Sequence, residues 1–368
     1  MGTCDAFEVL DVREEDARAD NVLGAGAGLA QRCEDDLEAA LRLAVRVGRR
    51  VGAVGHDRRG ARDEHVRTDA HSARVADDRL VRRAGGNEAA FHGRTSIAAL
   101  RALEQLEAWP AENVAVAVVT AEGVVASRGD VARAFPWASV TKLLTSLAVL
   151  VAAEEGIVDL DEAAGPPGAT VRHLLAHASG LPLDGDRPIT RPGDRRIYSN
   201  SGFEVLGALL PERAEMPFAD YLGGVLEPLG LTGTAVEGSP ASGATGPLGD
   251  LASLAGELLR PTVIAPETFA EATSVAFPGL SGVLPGFGRQ ARNDWGLGFE
   301  LRDEKSPHWT GTRNSPSTFG HFGRSGTFLW VDSAAGAACA CLTDLDFGEW
   351  AREAWPRLSD AILADLSS

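Results

Sequence analysis

Residues 139–156 read SVTKLLTSLAVLVAAEEG. Apolar residues occupy nearly every side of this stretch when it is drawn as a helix, which predicts a buried helix ending at Gly156. Ser139 and Lys142 are three residues apart, so the helix makes them neighbours on one face. Lysine is rare in this chain, and Lys305 is the other one. A charged Lys142 in so apolar a helix must find partners or lose its proton.

A serine beside a lysine can serve nucleophilic catalysis. A serine hydroxyl is a poor nucleophile until a base removes its proton, and lysine becomes that base only when desolvation lowers its pKa. Near a helix start, the backbone N–H of Ser139 is free and offers half of an oxyanion hole. The alternative is a lysine whose stem lies along the helix surface with its ammonium in water. The pair alone leaves both interpretations open.

The composition of the whole chain narrows the class of protein. With 368 residues, 44% apolar and 24% charged, it is typical of a soluble globular protein of one large or two ordinary domains. The net charge of −17 argues against nucleic acid and anionic membrane as partners. No apolar run is long enough to span a membrane, and the first twenty residues do not form a secretory signal. We therefore expect a cytoplasmic protein.

Two of the four cysteines lie in a strand-like segment near the end of the chain. Cys339 and Cys341 are two residues apart in AACACLTD, so their side chains point to the same face of a strand. This spacing favours two buried small apolar groups over a disulfide.

The composition changes near residue 92, and we predict a domain boundary there. All seven tryptophans and both tyrosines follow it. Residues 1–92 show no sustained helix or strand period and few large apolar residues, which predicts either a disordered extension or a start codon placed too far upstream. A regulatory arm is the functional alternative. Residues 93–368 are predicted to form the folded domain.

Periodicity within residues 93–368 predicts an α+β fold. The segment 93–109 indicates an amphipathic helix, and NVAVAVVT (113–120) and GVVASRG (123–129) indicate two strands. A mostly helical subdomain follows at roughly 157–275, and its first helix is predicted over TVRHLLAHAS (170–179). The strand-like segments WGLGFELRD (295–303), SGTFLWVDS (325–333) and AACACLTD precede a last amphipathic helix at 348–366. This order suggests an antiparallel sheet flanked by terminal helices, with the helical subdomain beside it.

Two further segments carry polar groups suited to catalysis. RRIYSNSGF contains Tyr198-Ser199-Asn200, in which a phenol could relay a proton and an amide could orient a carbonyl. A simple helix-capping turn is the alternative. FGHFGRSGTFLW places His321-Phe322-Gly323 on an edge-like strand before a glycine turn, where a ligand could lie against the backbone. A strand that merely ends in that turn is the alternative.

The order Ser-x-x-Lys, Tyr-x-Asn and His-x-Gly resembles the serine β-lactamase and penicillin-binding-protein superfamily. It is most similar to the branch of class C β-lactamases, D-alanyl-D-alanine carboxypeptidases and esterases. The resemblance covers residues 93–368 and implies a β-lactamase-like fold. It also implies that Ser139 is the acylated nucleophile, that Lys142 accepts its proton, and that Tyr198 assists acylation and activates the deacylating water.

The same resemblance implies roles for residues that bind the substrate. Asn200 would hold the substrate carbonyl or Lys142. His321 and Gly323 would line the sheet edge beside the substrate. The backbone N–H groups of Ser139 and Arg324 would form the oxyanion hole, and the Arg324 side chain could add a positive charge of unspecified direction.

One departure from the family pattern bears on the substrate. Related β-lactamases and carboxypeptidases usually carry Lys-Thr-Gly or Lys-Ser-Gly where this chain has His-Phe-Gly. An imidazole that is mostly neutral at pH 7 replaces an ammonium suited to a substrate carboxylate. The change disfavours β-lactams and D-Ala-D-Ala termini, whereas esterase-like members more often carry histidine here.

We therefore predict a serine hydrolase that cleaves a small-molecule ester or amide through an acyl-enzyme. A β-lactamase or D-Ala-D-Ala carboxypeptidase is the first alternative, and a non-catalytic binding relative is the second. No cofactor is expected. No metal is expected either, because the spacing of His173 and His177 lacks the glutamate of a zinc-binding H-E-x-x-H, and the segment resembles scaffold around a turn. The sequence leaves the oligomeric state open.

Overall fold

A computed structural model of the protein describes residues 100–368. The predicted extension at 1–92 and the start of the predicted helix at 93–109 lie outside the described residues. The strands, in chain order, are β1 (Val114–Thr120), β2 (Gly123–Arg128), β3 (Ala134–Pro136), β4 (Ala235–Val236), β5 (Ala244–Pro247), β6 (Gly282–Leu284), β7 (Gly288–Gln290), β8 (Glu300–Leu301), β9 (Phe319–Gly323), β10 (Thr327–Asp332) and β11 (Ala337–Thr343).

Helices make up most of the remaining regular structure. The α-helices are α1 (Thr141–Glu154), α2 (Val171–Leu175), α3 (Asn200–Ala214), α4 (Phe218–Leu226), α5 (Leu248–Leu259), α6 (Pro266–Ala272) and α7 (Glu349–Leu366). Short 3-10 helices span Arg101–Ala108, Ala138–Val140 and Glu227–Leu229. Residues 157–275, the predicted helical subdomain, contain α2 to α6 and the short strands β4 and β5.

A six-stranded antiparallel sheet in the order β2-β1-β11-β10-β9-β8 forms the centre of the described region. Both faces of this sheet are buried, so successive strand residues enter two different hydrophobic cores. Cys339 and Cys341 enter the core that also contains α7 and the first 3-10 helix. Ala338 and Ala340 enter the core that contains α1 and α5. The predicted α+β fold is confirmed, and both cysteines are free and buried.

The apolar segment that begins at Ser139 folds as a buried helix. All of residues 141–150 are buried in α1, together with Ala152. The helix ends at Glu154, two residues before Gly156, whose φ of 72° lies in the left-handed region. Ser139 precedes the α-helix and lies in the 3-10 turn Ala138–Val140.

Three elements differ from the sequence prediction. The helix predicted over 170–179 is limited to α2, and His177, which follows it, has a φ of 54° that a helix does not allow. The strand predicted over 295–303 is limited to β8, because Gly298 has a φ of 88° and packs against Ser146. Within the described residues, the first predicted helix is a 3-10 helix at Arg101–Ala108 rather than an α-helix.

Candidate active site

Ser139 is held in a tight turn at the entrance to α1. Ala138 has a φ of 46°, a backbone conformation that costs on the order of 1 kcal/mol or more for a residue with a Cβ. The turn is fixed from two sides, because the Trp137 N–H donates to the Ala244 carbonyl at 2.8 Å and the Thr141 hydroxyl donates to the Ala138 carbonyl at 2.6 Å. Ser139 itself remains partly exposed. The serine is therefore presented on a strained and well-supported turn.

Lys142 is fully buried directly behind this serine. Its side chain is 0% exposed, and its Nζ is 3.3 Å from the Ser139 Oγ. Nζ also donates to the Asn200 Oδ1 at 2.7 Å and to the Ala241 carbonyl at 3.0 Å. Burial lowers the pKa of Lys142 to about 7, and the nearby carboxylates of Asp184 and Glu204 oppose this shift. The amine can therefore exist in either protonation state at neutral pH.

The orientation of the Asn200 amide follows from its two partners. Its Nδ2 donates to the Asp184 Oδ1 at 3.1 Å, and that carboxylate can only accept. The Asn200 Oδ1 must then face Lys142 as an acceptor. Asn200 begins α3, whose N-cap is Ser199 with its Oγ accepting from the Gly202 N–H at 2.9 Å. The capping interpretation and the polar contact to Lys142 therefore both hold in this segment.

The partners of Lys142 determine where its lone pair would point. Asn200 Oδ1 and the Ala241 carbonyl only accept, so each takes one hydrogen of Nζ. The third position faces Ser139, which can both donate and accept. In the neutral amine this position is the lone pair, and it lies where the serine proton would have to go.

Tyr198 contacts both Lys142 and Ser139. The Lys142 Nζ lies 4.8 Å from the centre of the Tyr198 ring, a distance typical of a cation–π contact. Burial raises the pKa of Tyr198, and its hydrogen bond with Ser139 offsets only part of this effect. Tyr198 is therefore a neutral phenol at pH 7 and interacts with the serine through its hydroxyl.

The end of β9 packs directly against the Ser139 turn. A Cβ on Gly323 would lie 2.5 Å from the Trp137 carbonyl oxygen and 2.7 Å from the Thr327 Oγ1, so a side chain does not fit there. The Thr327 hydroxyl also donates to the Trp137 carbonyl at 2.9 Å. Because β8 pairs only with Phe319 and Gly320, the rest of β9 has no strand partner on that side.

The structure directs the Arg324 side chain away from this group of residues. Its Nε lies 3.6 Å from the Asp346 carboxylate, and both side chains are about two-thirds exposed. Neither the Arg324 N–H nor the Ser139 N–H donates a backbone hydrogen bond within residues 100–368. The two amides predicted to form an oxyanion hole are thus open.

A small cavity lies over Ser139. It measures about 10 Å³, room for one water molecule. Its lining consists of Ser139, Tyr198, Leu284, Pro285, Trp295, Glu300, His321 and Phe322. Of the predicted site residues, Ser139, Tyr198 and His321 therefore meet at this cavity. His321 is only 3% exposed, and burial lowers its pKa to about 3.

Sequence reasoning missed a buried polar network beside this cavity. The Glu300 carboxylate binds the Lys305 Nζ at 2.6 Å, the His308 Nε2 at 2.9 Å and the Trp309 Nε1 at 2.9 Å. Burial alone would raise the pKa of Glu300, but Lys305 and His308 outweigh it and lower this pKa well below its usual range. The scarcity of lysine was the signal in the sequence that could have pointed to Lys305, because both lysines of the chain are buried and hydrogen-bonded. Trp295 was also missed as a lining residue.

The two histidines of the RHLLAH segment hold the scaffold of the site. The His177 Nδ1 accepts from the Ser199 N–H at 3.1 Å, and its ring packs 4.6 Å from the Tyr198 ring centre. His173 packs against Phe277 with ring centres 4.2 Å apart. Among residues 100–368, no group of three or more His, Cys, Asp or Glu is arranged to hold a metal ion. Within the same residues, no helix has the length and apolar character needed to cross a bilayer.

Comparison with known families identifies the class to which this fold and site belong. A family model described as Beta-lactamase matches residues 101–364. The chain therefore belongs to the β-lactamase family, which the fold and the order of its three polar segments also support. Its members are generally serine hydrolases.

Individual relatives agree with this assignment. A solved structure of a β-lactamase from Mycobacterium bovis is 53% identical, has a TM-score of 0.72, and aligns over 73% of this chain and 100% of that chain. Simvastatin synthase from Aspergillus terreus shares the fold at 18% identity, with a TM-score of 0.60 over 71% of this chain and 95% of that chain. Penicillin-binding protein 4* from Bacillus subtilis (strain 168) is 26% identical over 121 residues, which are 24% of this chain and 27% of that relative. The match thus spans about a quarter of this curated relative.

Proposed function

We propose that this protein hydrolyses a small ester or amide through an acyl-enzyme formed on Ser139. The observation that carries the proposal is the Lys142 amine, fully buried and 3.3 Å from the Ser139 Oγ. Two of its hydrogens are directed to other acceptors, so the neutral amine offers its lone pair to the serine proton. A solvated surface lysine would have none of these features.

In the acylation step, Lys142 accepts the proton of Ser139 while the serine Oγ attacks the carbonyl carbon. The negative charge that develops on the carbonyl oxygen is stabilised by the open N–H groups of Ser139 and Arg324. The intermediate then expels its leaving group, and the proton held by Lys142 passes to that group through the hydroxyl of Tyr198, a neutral phenol with a hydrogen bond to Ser139. In the second step water attacks the acyl-enzyme and gives up a proton to Tyr198 and Lys142, which transfer it to the Ser139 Oγ as the bond between the acyl group and the serine breaks.

The polar groups around the cavity support an uncharged substrate. The third polar segment offers His321, which burial keeps neutral, instead of an ammonium. The Arg324 guanidinium points to Asp346 on the surface. A substrate carboxylate would thus find no fixed cation at this end of the cavity. This supports an esterase-like activity over action on D-Ala-D-Ala termini.

A β-lactamase activity is the second candidate, because the relative from Mycobacterium bovis that is 53% identical is described as a β-lactamase. The two candidates share the acyl-enzyme and differ in the substrate. Turnover of a chromogenic cephalosporin at a rate that competes with p-nitrophenyl esters would favour the β-lactamase.

The test of the proposal is covalent labelling of one serine. A fluorophosphonate probe is expected to add once to the wild-type protein and not to Ser139→Ala. Ser201→Ala is the matched control, because Ser201 lies nearby at the start of α3 and should leave labelling unchanged. Lys142→Ala is expected to lower ester turnover by at least about 10²-fold, the usual scale for loss of a general base. Absence of labelling in the wild type would favour a non-catalytic binding protein.

A further inference from the structure

Two residues that line the cavity over Ser139 each carry a buried polar atom without a partner. These are the His321 Nε2 and the Trp295 Nε1. The residues are 3% and 2% exposed, so water outside the protein does not satisfy them. A buried polar group without a hydrogen bond is costly and therefore uncommon. Trp330 and Trp355 also bury an unpartnered indole N–H, but neither of them lines this cavity.

The hydrogen-bonding character of His321 follows from its one partner. Its Nδ1 is 2.8 Å from the Phe322 carbonyl oxygen, which can only accept. The Nδ1 therefore carries the hydrogen. The imidazole is neutral at pH 7, because burial lowers its pKa to about 3. The Nε2 then presents a lone pair and acts as an acceptor.

Trp295 has the opposite character, because an indole nitrogen can only donate. The centres of the Trp295 and His321 rings are 5.5 Å apart, and their nitrogens form no hydrogen bond with each other. Two residues that line one small cavity thus carry an unused donor and an unused acceptor. A single group that both donates and accepts would satisfy both atoms, and a hydroxyl is the group of that kind closest to water in size.

We infer that this cavity is a subsite for a hydroxyl group on the acyl part of the substrate, next to the carbonyl that Ser139 attacks. The inference rests on the proposed function and narrows its substrate class to hydroxylated short-chain esters or amides. The hydroxyl hydrogen goes to the His321 Nε2, and the hydroxyl oxygen accepts from the Trp295 N–H. The volume of about 10 Å³ suits one such group.

The same geometry disfavours a carboxylate. An anion here would meet the lone pair of the His321 Nε2 and share the cavity with Glu300, whose carboxylate is ionised and already accepts from three donors. A methyl group would leave both ring nitrogens unpartnered. Sites built to bind a hydroxyl discriminate strongly against the analogue that lacks it.

The test compares p-nitrophenyl esters that differ in one group. The series consists of the propionate, 2-hydroxypropionate, 3-hydroxypropionate and hemisuccinate esters, with each kcat/KM divided by the rate of the same ester with hydroxide. At least one hydroxylated ester is expected to exceed propionate by about tenfold or more, and hemisuccinate is expected to show no preference. Equal normalised values for propionate and both hydroxylated esters would overturn the inference.

Three variants test whether the preference for the hydroxylated ester arises at His321 and Trp295. His321→Phe and Trp295→Phe each remove one of the unpartnered atoms, so the preference for the hydroxylated ester is expected to fall to within about threefold of unity. Trp350→Phe is the matched control, because it removes an indole N–H that donates elsewhere, to the Asp346 carbonyl. A preference that survives both substitutions at the cavity would assign the hydroxyl to another site. Thermal melts would establish that each variant is folded.

A binding measurement separates this inference from the proposed function. Ser139→Ala should bind the hydroxylated ester more tightly than propionate in ligand-observed NMR, whether or not the wild type turns over either ester. If this preference is found but the fluorophosphonate does not label the wild type, the hydroxyl subsite stands and the hydrolase proposal fails. If labelling succeeds but Ser139→Ala binds the esters equally, the cavity holds only an ordered water and the inference is wrong.

Discussion

The buried position of Lys142 predicts a pH profile for ester hydrolysis. Ser139 can be deprotonated only by the neutral amine, and burial lowers the pKa of that amine to about 7. The neutral fraction then rises from about one tenth at pH 6 to about nine tenths at pH 8, so kcat/KM is expected to increase about tenfold over this range and then level off. His177 and His321 add no inflection there, because burial holds the pKa of each below its usual value.

A substitution at Asp184 tests the cause of this profile. Its carboxylate raises the pKa of Lys142, so Asp184→Asn should move the inflection to lower pH, and the effect should be small because Asp184 is exposed to solvent. The new amide retains an oxygen that can accept from Asn200. Glu267→Gln, an exposed acid in α6, is the control and should leave the inflection unchanged.

The assay is steady-state hydrolysis of a p-nitrophenyl ester from pH 5.5 to 9.5, corrected for hydroxide and read at an isosbestic wavelength. A rate that keeps rising tenfold per pH unit between 7.5 and 9.5 would mean that Lys142 titrates like a solvated lysine. A flat profile between pH 6 and 8 would mean that its deprotonation does not limit acylation. Either result would refute the reasoning.

Three further predictions concern stability and packing. Because folding lowers the pKa of Lys142 from 10.5 to about 7, wild-type stability should rise with pH by about 1 kcal/mol per unit between pH 7.5 and 8.5 relative to Lys142→Met, as measured by urea unfolding. Lys305→Met should lower the free energy of unfolding by about 3 kcal/mol, since it leaves the buried Glu300 without its main counter-charge; a loss below 1 kcal/mol would contradict this. Gly323→Ala should lower kcat by at least about tenfold, because its Cβ would lie 2.5 Å from a neighbouring carbonyl, whereas Gly223→Ala, with nothing within 4 Å, should retain activity.

Local patterns in the sequence were sufficient to predict much of the fold. The strands β1, β2, β10 and β11 fall within the predicted segments, because short apolar runs bounded by turn residues mark buried strands in the sequence itself. The three-residue spacing of Ser139 and Lys142 likewise makes them neighbours on any helical turn. The segments at 170–179 and 295–303 formed shorter elements than predicted. At both, a backbone with positive φ interrupts the pattern, and it is held there by packing from residues distant in the chain.

The sequence by itself determined the α+β class, the buried helix that begins after Ser139, and the order of the polar segments, since these depend on spacing along the chain. Only the tertiary structure decided that Lys142 has no access to water, that Asn200 faces it with its oxygen, and that His321 and Trp295, each with an unpartnered ring nitrogen, line one cavity. These properties depend on desolvation and on distances between residues far apart in sequence. No local pattern encodes them.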